Sequence, residues 1–383
     1  MGKERGCYTS SVPSHWDAGN YAPRPYHIMY RTSTPLEANT DTERSADFPS
    51  ILDYTGWAGK PRSPLTGSIL QASIIRALVY YDTFDYPLTV EEAWRWLYPP
   101  PNSNLSAVTV ADVQREVEML AKEGKLERRG AYVFCPGRQS IVDTRIERMP
   151  ANAKLWRRAA STARFLELVP FVKMIAVVNT LAIDNARPAS DIDLLIVTAP
   201  RHIWIARMIV TGIVSLLGYR RHGTTIAGRV CLSFYVTTDG MDFSALKSAD
   251  PDIHFTFWTA QAVPLLDDGT YERYRQANDW VMKLLPNAWV WKWPTRLLVP
   301  NPGLRVIKQF YEIFLASPIG HWLESWARDR QLKKMEKNIE SKAKLGTTEV
   351  VISEDVLKFH ELDRRQEYNE RFRRRLVELG LAE

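Results

Sequence analysis

The sequence predicts an α/β (α+β) protein: a central mixed sheet, preceded by a small helical unit with a hairpin and followed by a helical C-terminal region. Three observations predict it. The β-branched runs "VKMIAVV" and "DLLIVT", the first opened by Pro170 and both flanked by polar turns, read as buried strands. A third run, "RVCLSFYV", follows the apolar stretch 201–217, which reads as a crossover helix. Outside this block, apolar residues recur at helical spacing from Ser68 to Leu120 and again beyond residue 246.

Composition narrows the function classes. The chain has 383 residues, 45% hydrophobic and 25% charged, with a net charge of +6. That is ordinary for a folded chain and mildly favours anionic partners such as nucleotides. Cys7, Cys135 and Cys231 lie far apart without metal-ligand spacing, so neither a disulfide framework nor a zinc site is expected, and a reducing cytoplasm fits best. The N-terminus lacks the apolar core of a secretory signal. The longest apolar stretch, "IWIARMIVTGIVSLLG", is shorter than the ~20 residues of a spanning helix and carries Arg207, so no membrane partner is expected. Residues 1–66, rich in Pro, Ser, Thr and Asn, read as a flexible leader.

The first folded unit is expected over 67–137. "SILQASIIRALVYYD" is a helix; Thr89 with Glu92 three residues on forms a capping-box pattern for a second. In "VTVADVQREVEMLAKEG", Val110, Val113, Val117 and Leu120 share a face and Gly124 ends the helix. "KLERRGAYVF" reads as two short strands around Arg129-Gly130. Three helices and a hairpin resemble the winged helix-turn-helix family over about 68–135. Its third helix offers Gln114, Arg115 and Lys122 among Asp112, Glu116, Glu118 and Glu123, a poor surface for phosphates. Nucleic acid is therefore not the favoured partner, and a structural or dimerising role, with a protein partner possible, is expected. A helical connector containing Pro150, read as an interruption, spans 138–169.

The chemistry concentrates in "SDIDLLIV". Alternation along a strand puts Asp191 and Asp193 on one face, with Ile192 opposite. Like charges that close are costly unless something positive sits between them. A divalent ion removes the cost, and Mg²⁺ is typically held by one or two carboxylates plus substrate phosphates. A nearby arginine, Arg187 or Arg207, is the competing explanation.

A strand, a small polar pair, a spacer and Asp-x-Asp on a second strand resemble the nucleotidyltransferase superfamily typified by polymerase beta, in its small bacterial branch, over about 170–240. The resemblance implies a nucleotidyltransferase-like domain at 170–245, followed by the helical region 246–383. It implies transfer of a nucleoside monophosphate from a triphosphate, ATP, to the hydroxyl of an unknown acceptor, with Mg²⁺ on Asp191 and Asp193 and nucleotide contacts from Asn179, Thr180 and Ser190. Two departures stand out. Asn179 occupies the place of the family's glycine, with Thr180 keeping the hydroxyl of its serine. The strand that should supply a third carboxylate, "RVCLSFYV", has Ser233 at its middle and no acid, leaving Asp239 as the candidate and Asp242 behind it. These departures equally suit a catalytically degenerate binding or assembly module; a winged-helix DNA-binding regulator is the remaining alternative.

Two further features stay open. The run His360-x-x-Asp363, with Arg364 beside it, reads as a helix-surface pair or, by the same resemblance, as a segment reaching back to the site. The tryptophans of "NAWVWKWP" suit burial against a helix or stacking on a base. "GTTIAG" at 223–228 is a turn, not a phosphate loop.

Overall fold

The computed structural model describes residues 64–381 apart from 104, 106, 224, 291–295, 337–347 and 360–362. The leader, up to residue 63, and His360, Trp291 and Trp293 lie outside the described residues.

The first elements follow the expected order: α1 (Pro64–Asp82), β1 (Leu88–Thr89), α2 (Val90–Arg95), α3 (Val110–Lys122), β2 (Glu127–Arg129) and β3 (Tyr132–Phe134). Thr89 caps α2 as the pattern predicts. Its Oγ1 accepts from the Glu92 N–H at 3.2 Å, and its own N–H donates to Glu92 Oε2 at 2.8 Å. Thr89→Ala is expected to cost about 1 kcal/mol, read as a lower melting temperature with the fold retained. In α3, Val113, Val117 and Leu120 are buried, and Gly124 follows in a left-handed conformation. On its outer face Asp112 takes Arg115 and Gln114 binds Glu118, so few donors remain for a phosphate backbone. The strands form an antiparallel sheet in the order β1-β3-β2.

Helix α4 (Ser140–Leu166) runs unbroken through Pro150, against the expected interruption. Pro150 lies on the exposed face, where water can satisfy the carbonyl its ring leaves unbonded. On the buried face Arg145 donates two hydrogen bonds to Glu92, at 2.7 and 2.8 Å, and its guanidinium lies over Tyr86 and Tyr132. This pair ties α4 to the first unit.

The rest of the chain comprises β4 (Val172–Val177), α5 (Asn179–Ala182), β5 (Ile192–Thr198), α6 (Ile203–Leu216), β6 (Val230–Thr237), α7 (Ile253–Ala260), β7 (Val263–Asp267), α8 (Thr270–Ala277), α9 (Pro286–Val290), α10 (Pro302–Leu315), α11 (Pro318–Glu336), β8 (Val350–Ile352), β9 (Val356–Phe359) and α12 (Arg365–Glu378). Among the described residues one mixed sheet forms in the order β7-β4-β5-β6-β9-β8, and only β5 and β6 are parallel neighbours, joined by α6. Both faces are covered. Ile175, Val177, Leu194 and Ile196 pack with Trp156 of α4 and Val210 of α6, while Met174, Ala176, Leu195 and Val197 join a core shared with α1, α7 and α12. Double-sided burial explains why these strands read as continuous apolar runs.

The region beyond residue 245 is not purely helical, as the sequence suggested. It supplies β7, β8 and β9 to the central sheet. Within it "DIHFTFWTAQAVPLLDD" is α7 followed by β7; Pro264 lacks the N–H a helix would need and sits in a strand at the sheet edge. Among the described residues no helix is long and apolar enough to cross a membrane.

Candidate active site

The first turn after β4 sets the geometry. Val178 is extended and donates its N–H to the Asp193 carbonyl at 3.1 Å; Asn179 then turns into the left-handed region at φ 60°. Among L-residues asparagine is one of the few that accept this conformation readily. Its side chain folds inward. Oδ1 accepts from the indole N–H of Trp258 at 2.6 Å, and the side chain also hydrogen-bonds the Asp193 carboxylate. Asn179→Ala would strain the backbone and leave a buried indole N–H unpaired. A loss of about 2 kcal/mol is expected by urea unfolding, and Asn179→Gly should recover the backbone share of it.

The segment from Ile183 to Ser190 is pinned from outside. Asn152 of α4 donates to the Asp184 carbonyl at 2.9 Å and accepts from the Ala186 N–H at 2.9 Å. Ser190 Oγ accepts from the Arg187 N–H at 3.0 Å, and the Ser190 carbonyl accepts from the Gly228 N–H at 2.7 Å. Gly228 has φ +64°, and a Cβ there would lie 2.8 Å from an Arg158 guanidinium nitrogen, so only glycine fits without displacement. Gly228 therefore fixes the residue preceding Asp191.

Asp191 and Asp193 both face a cavity of about 360 Å³. Parallel pairing places Cys231 of β6 opposite Asp193; Leu195 then pairs with Phe234, so two residues on β5 span three on β6. This bulge brings Cys231 beside the acids. One ligand atom from each of Asp191, Asp193 and Cys231 falls within 4.8 Å of the others. Burial, and then the neighbouring Asp191, push Asp193 up to about 6, against hydrogen bonds from Asn179 and Cys231. Burial and the adjacent carboxylates hold the Cys231 thiol up at about 12, so it stays protonated at neutral pH.

The residue neutralising Asp191 is neither Arg187 nor Arg207. Arg221 donates to Asp191 Oδ2 at 2.6 Å from the segment leading into β6, whereas Arg207 binds Gln331 and lies over the Phe359 ring. Arg221 engages one oxygen of Asp191, and both acids line the cavity, with Asp193 also hydrogen-bonded by Asn179 and Cys231. The two carboxylates suit a hard divalent cation in charge and donor type, whereas the protonated Cys231 thiol beside them is not a donor for it.

Asp239 does not join them. The acids stand at the start of β5, and Asp239 follows the end of the parallel strand β6, where Thr198 pairs with Thr237. Strand length alone separates them by roughly 20 Å. Asp239 and Asp242 are both exposed, and Asp242 caps the Ser244 N–H. Thr180 and Ser190 do line the cavity.

Another wall carries three cations and an acid. Lys358 of β9, with Arg364 and Arg365 at the start of α12, lines the same cavity. Asp363 joins two of them: Lys358 Nζ lies 3.2 Å and Arg365 Nε 2.7 Å from its Oδ2. Burial and Arg365 lower Lys358 to about 8 despite Asp363. Asp363 of the C-terminal run thus reaches the site from far along the chain. A third wall is aromatic: the Tyr368 ring lies 4.9 Å from Phe84 and 4.7 Å from His254, whose Nδ1 is 3.0 Å from the Tyr80 hydroxyl. Burial lowers His254 to about 4, so this wall is uncharged at neutral pH. Cys231, Arg221, Lys358 and the aromatic wall were not anticipated from sequence, because only sheet register and helix docking bring them together. Compared with models of protein families, with curated proteins and with solved structures, the chain matches none.

Proposed function

We propose that the chain is a nucleotidyltransferase of the polymerase beta-like type, carrying a winged-helix-like N-terminal segment, that transfers a nucleoside monophosphate from ATP to a hydroxyl acceptor. One observation carries this reading: a single cavity has two strand-borne carboxylates at one wall and Lys358, Arg364 and Arg365 at another. Triphosphate with a divalent ion presents that same alternation of charge. Asp191 and Asp193 would hold Mg²⁺, which when bound neutralises phosphate charge and makes the α-phosphorus more electrophilic. The chain's own groups do the rest. Thr180 and Ser190 offer hydroxyls to phosphate oxygens, and Arg364, the most exposed of the three cations, would have to exchange its bidentate pair with Glu367 for the outer phosphates. Phe84, His254 and Tyr368 form a neutral surface on which a base can stack. In the reaction the acceptor hydroxyl gives up its proton to solvent as its oxygen bonds to the α-phosphorus, the bond to the bridging oxygen breaks, and pyrophosphate leaves.

A second reading, a catalytically degenerate nucleotide-binding module, is favoured by a specific pair of observations. Beside the two acids stands the protonated thiol of Cys231 and not a third carboxylate, and Arg221 is already seated on Asp191. A DNA-binding regulator has less support, since Arg115 of α3 is held by Asp112.

The test compares ATP labelled at the α-phosphate with ATP labelled at the γ-phosphate, incubated with the full chain, Mg²⁺ and a cell extract as acceptor source. Label transferred to acceptor from the α-position only, and lost in Asp191→Asn, supports the transferase. Magnesium-dependent ATP binding without transfer supports the module. No ATP binding contradicts both.

A further inference from the structure

Helices α10 and α11 are docked the wrong way round for a chain surrounded only by water. On α10, Lys308 donates to the Val172 carbonyl, Glu312 accepts from the Phe171 N–H at 2.7 Å, and Leu315 packs against Phe171 and Ile205. These residues, at i, i+4 and i+7, are the inner face. On α11, Glu324 accepts the N–H groups of Trp204 and Ile205, both at 2.8 Å, Ala327 is buried, and Gln331 donates to the Trp204 carbonyl at 2.9 Å. Polar groups thus hold the pair to the sheet and α6. The apolar stripe points outward: Val306, Phe310, Ile313 and Phe314 of α10, then Trp322 and Trp326 of α11, with Phe310 69%, Ile313 76% and Trp322 64% exposed. An amphipathic helix ordinarily turns this stripe toward the core, and clustered exposed aromatics of this kind mark an interaction surface.

Charge identifies what covers it. The exposed Arg305, Arg330, Lys333 and Lys334 flank the stripe, and among the described residues none pairs with a carboxylate. Arg330 lies over the Trp326 ring. Among the described side chains on these two helices' outer face, the one exposed acid, Asp329, is bound to Arg328. A second copy would bring the same cations to the same rim against that one engaged acid. An anionic bilayer surface meets both features: aromatic side chains enter the headgroup boundary, and each nearby Lys or Arg gains attraction to the lipid charge.

We propose that the outward face of α10 and α11 docks the protein onto an anionic membrane surface, lying on the bilayer and not crossing it. The expectation of no membrane partner rested on span length, which a surface-lying helix does not need. The hairpin contacts the start of β4 and of α6, next to the end of β5, whereas Asp191 and Asp193 stand at the start of β5, roughly 20 Å away by strand length. Membrane docking and the proposed chemistry are therefore separable.

The experiment is co-sedimentation of the full chain with vesicles of phosphatidylcholine alone or mixed with phosphatidylglycerol. The wild type is expected to sediment with the mixed vesicles and to be released by salt. The double variant Phe310→Ser/Trp322→Ser should partition about a hundredfold less. Lys333→Glu/Lys334→Glu should weaken binding to the mixed vesicles while leaving the melting temperature unchanged. Three outcomes overturn the proposal: no sedimentation with either vesicle, equal sedimentation of wild type and Phe310→Ser/Trp322→Ser, or a wild-type dimer in light scattering that the same double variant converts to monomer.

Discussion

Asp193→Asn is expected to make the metal-free protein more stable at neutral pH while abolishing its response to divalent ions. Burial and Asp191 raise the Asp193 carboxyl to about 6, above its value in an unfolded chain. A raised folded pKa means that the native state holds a proton the unfolded chain has lost. The associated stability is present in acid and is lost as pH rises from about 4 through about 6. Above that window the wild type carries two neighbouring carboxylates at a cost of about 1–3 kcal/mol. Asparagine keeps the shape and the acceptor for Asn179 but removes the charge. Thermal melts should show the variant ahead of the wild type by a few degrees at neutral pH and level with it near pH 4. Added Mg²⁺ or Mn²⁺ should raise only the wild type, and less as pH falls below about 6, where protons compete for Asp193. A wild type that melts at one temperature from acid to neutral pH would show that the pair is not strained.

Asp252→Ala should produce the largest loss of stability, about 3–5 kcal/mol by urea unfolding. Asp252 is fully buried and caps α7. It accepts from the Ser248 N–H and hydroxyl at 2.9 and 2.7 Å, from Phe255 N–H at 3.1 Å, from Asn369 at 3.0 Å and from Arg365 at 3.3 Å. Truncation leaves several buried donors and one guanidinium short of a partner. These hydrogen bonds and Arg365 hold the Asp252 carboxyl below the usual range against burial. A lowered folded pKa contributes stability that is full above the unfolded value, about 3.9, and is lost as pH falls through the folded one. The gap between variant and wild type should therefore narrow in acid. Because Arg365 and Asn369 sit on α12, the same substitution loosens the cationic wall, so ATP affinity should fall as well. A variant that unfolds at the wild-type urea midpoint would mean that Asp252 is not the hub of this wall.

Much of the architecture around the acids is local and was therefore legible. The apolar runs at β4 and β5, the crossover α6, the Thr89 cap and the shared face of Asp191 and Asp193 all follow from period and from neighbours within a few residues. What local pattern does not carry is which distant strand comes to lie alongside. Lys358 reaches the site because β9 pairs with β6, with Phe234 opposite Lys358, more than a hundred residues away along the chain. Cys231 reaches it because a bulge shifts the register between β5 and β6. Asp239 looked adequate on linear distance, and the parallel sense of β5 and β6 sends it to the far end of the sheet. Asn179 is the instructive case. It stood out in the sequence as a departure from a motif, and its side chain is the link between Trp258 and Asp193.

The most direct measurement is a titration of Mn²⁺, standing in for Mg²⁺, against the full chain, with free ion followed by its paramagnetic resonance signal in the presence and absence of ATP. Wild-type protein should bind the ion weakly alone and at least about tenfold more tightly with ATP, because the nucleotide completes the ligand set. Asp193→Asn should lose both. Superimposable curves for the two proteins would contradict the claim that the paired carboxylates exist to hold a cation with a nucleotide.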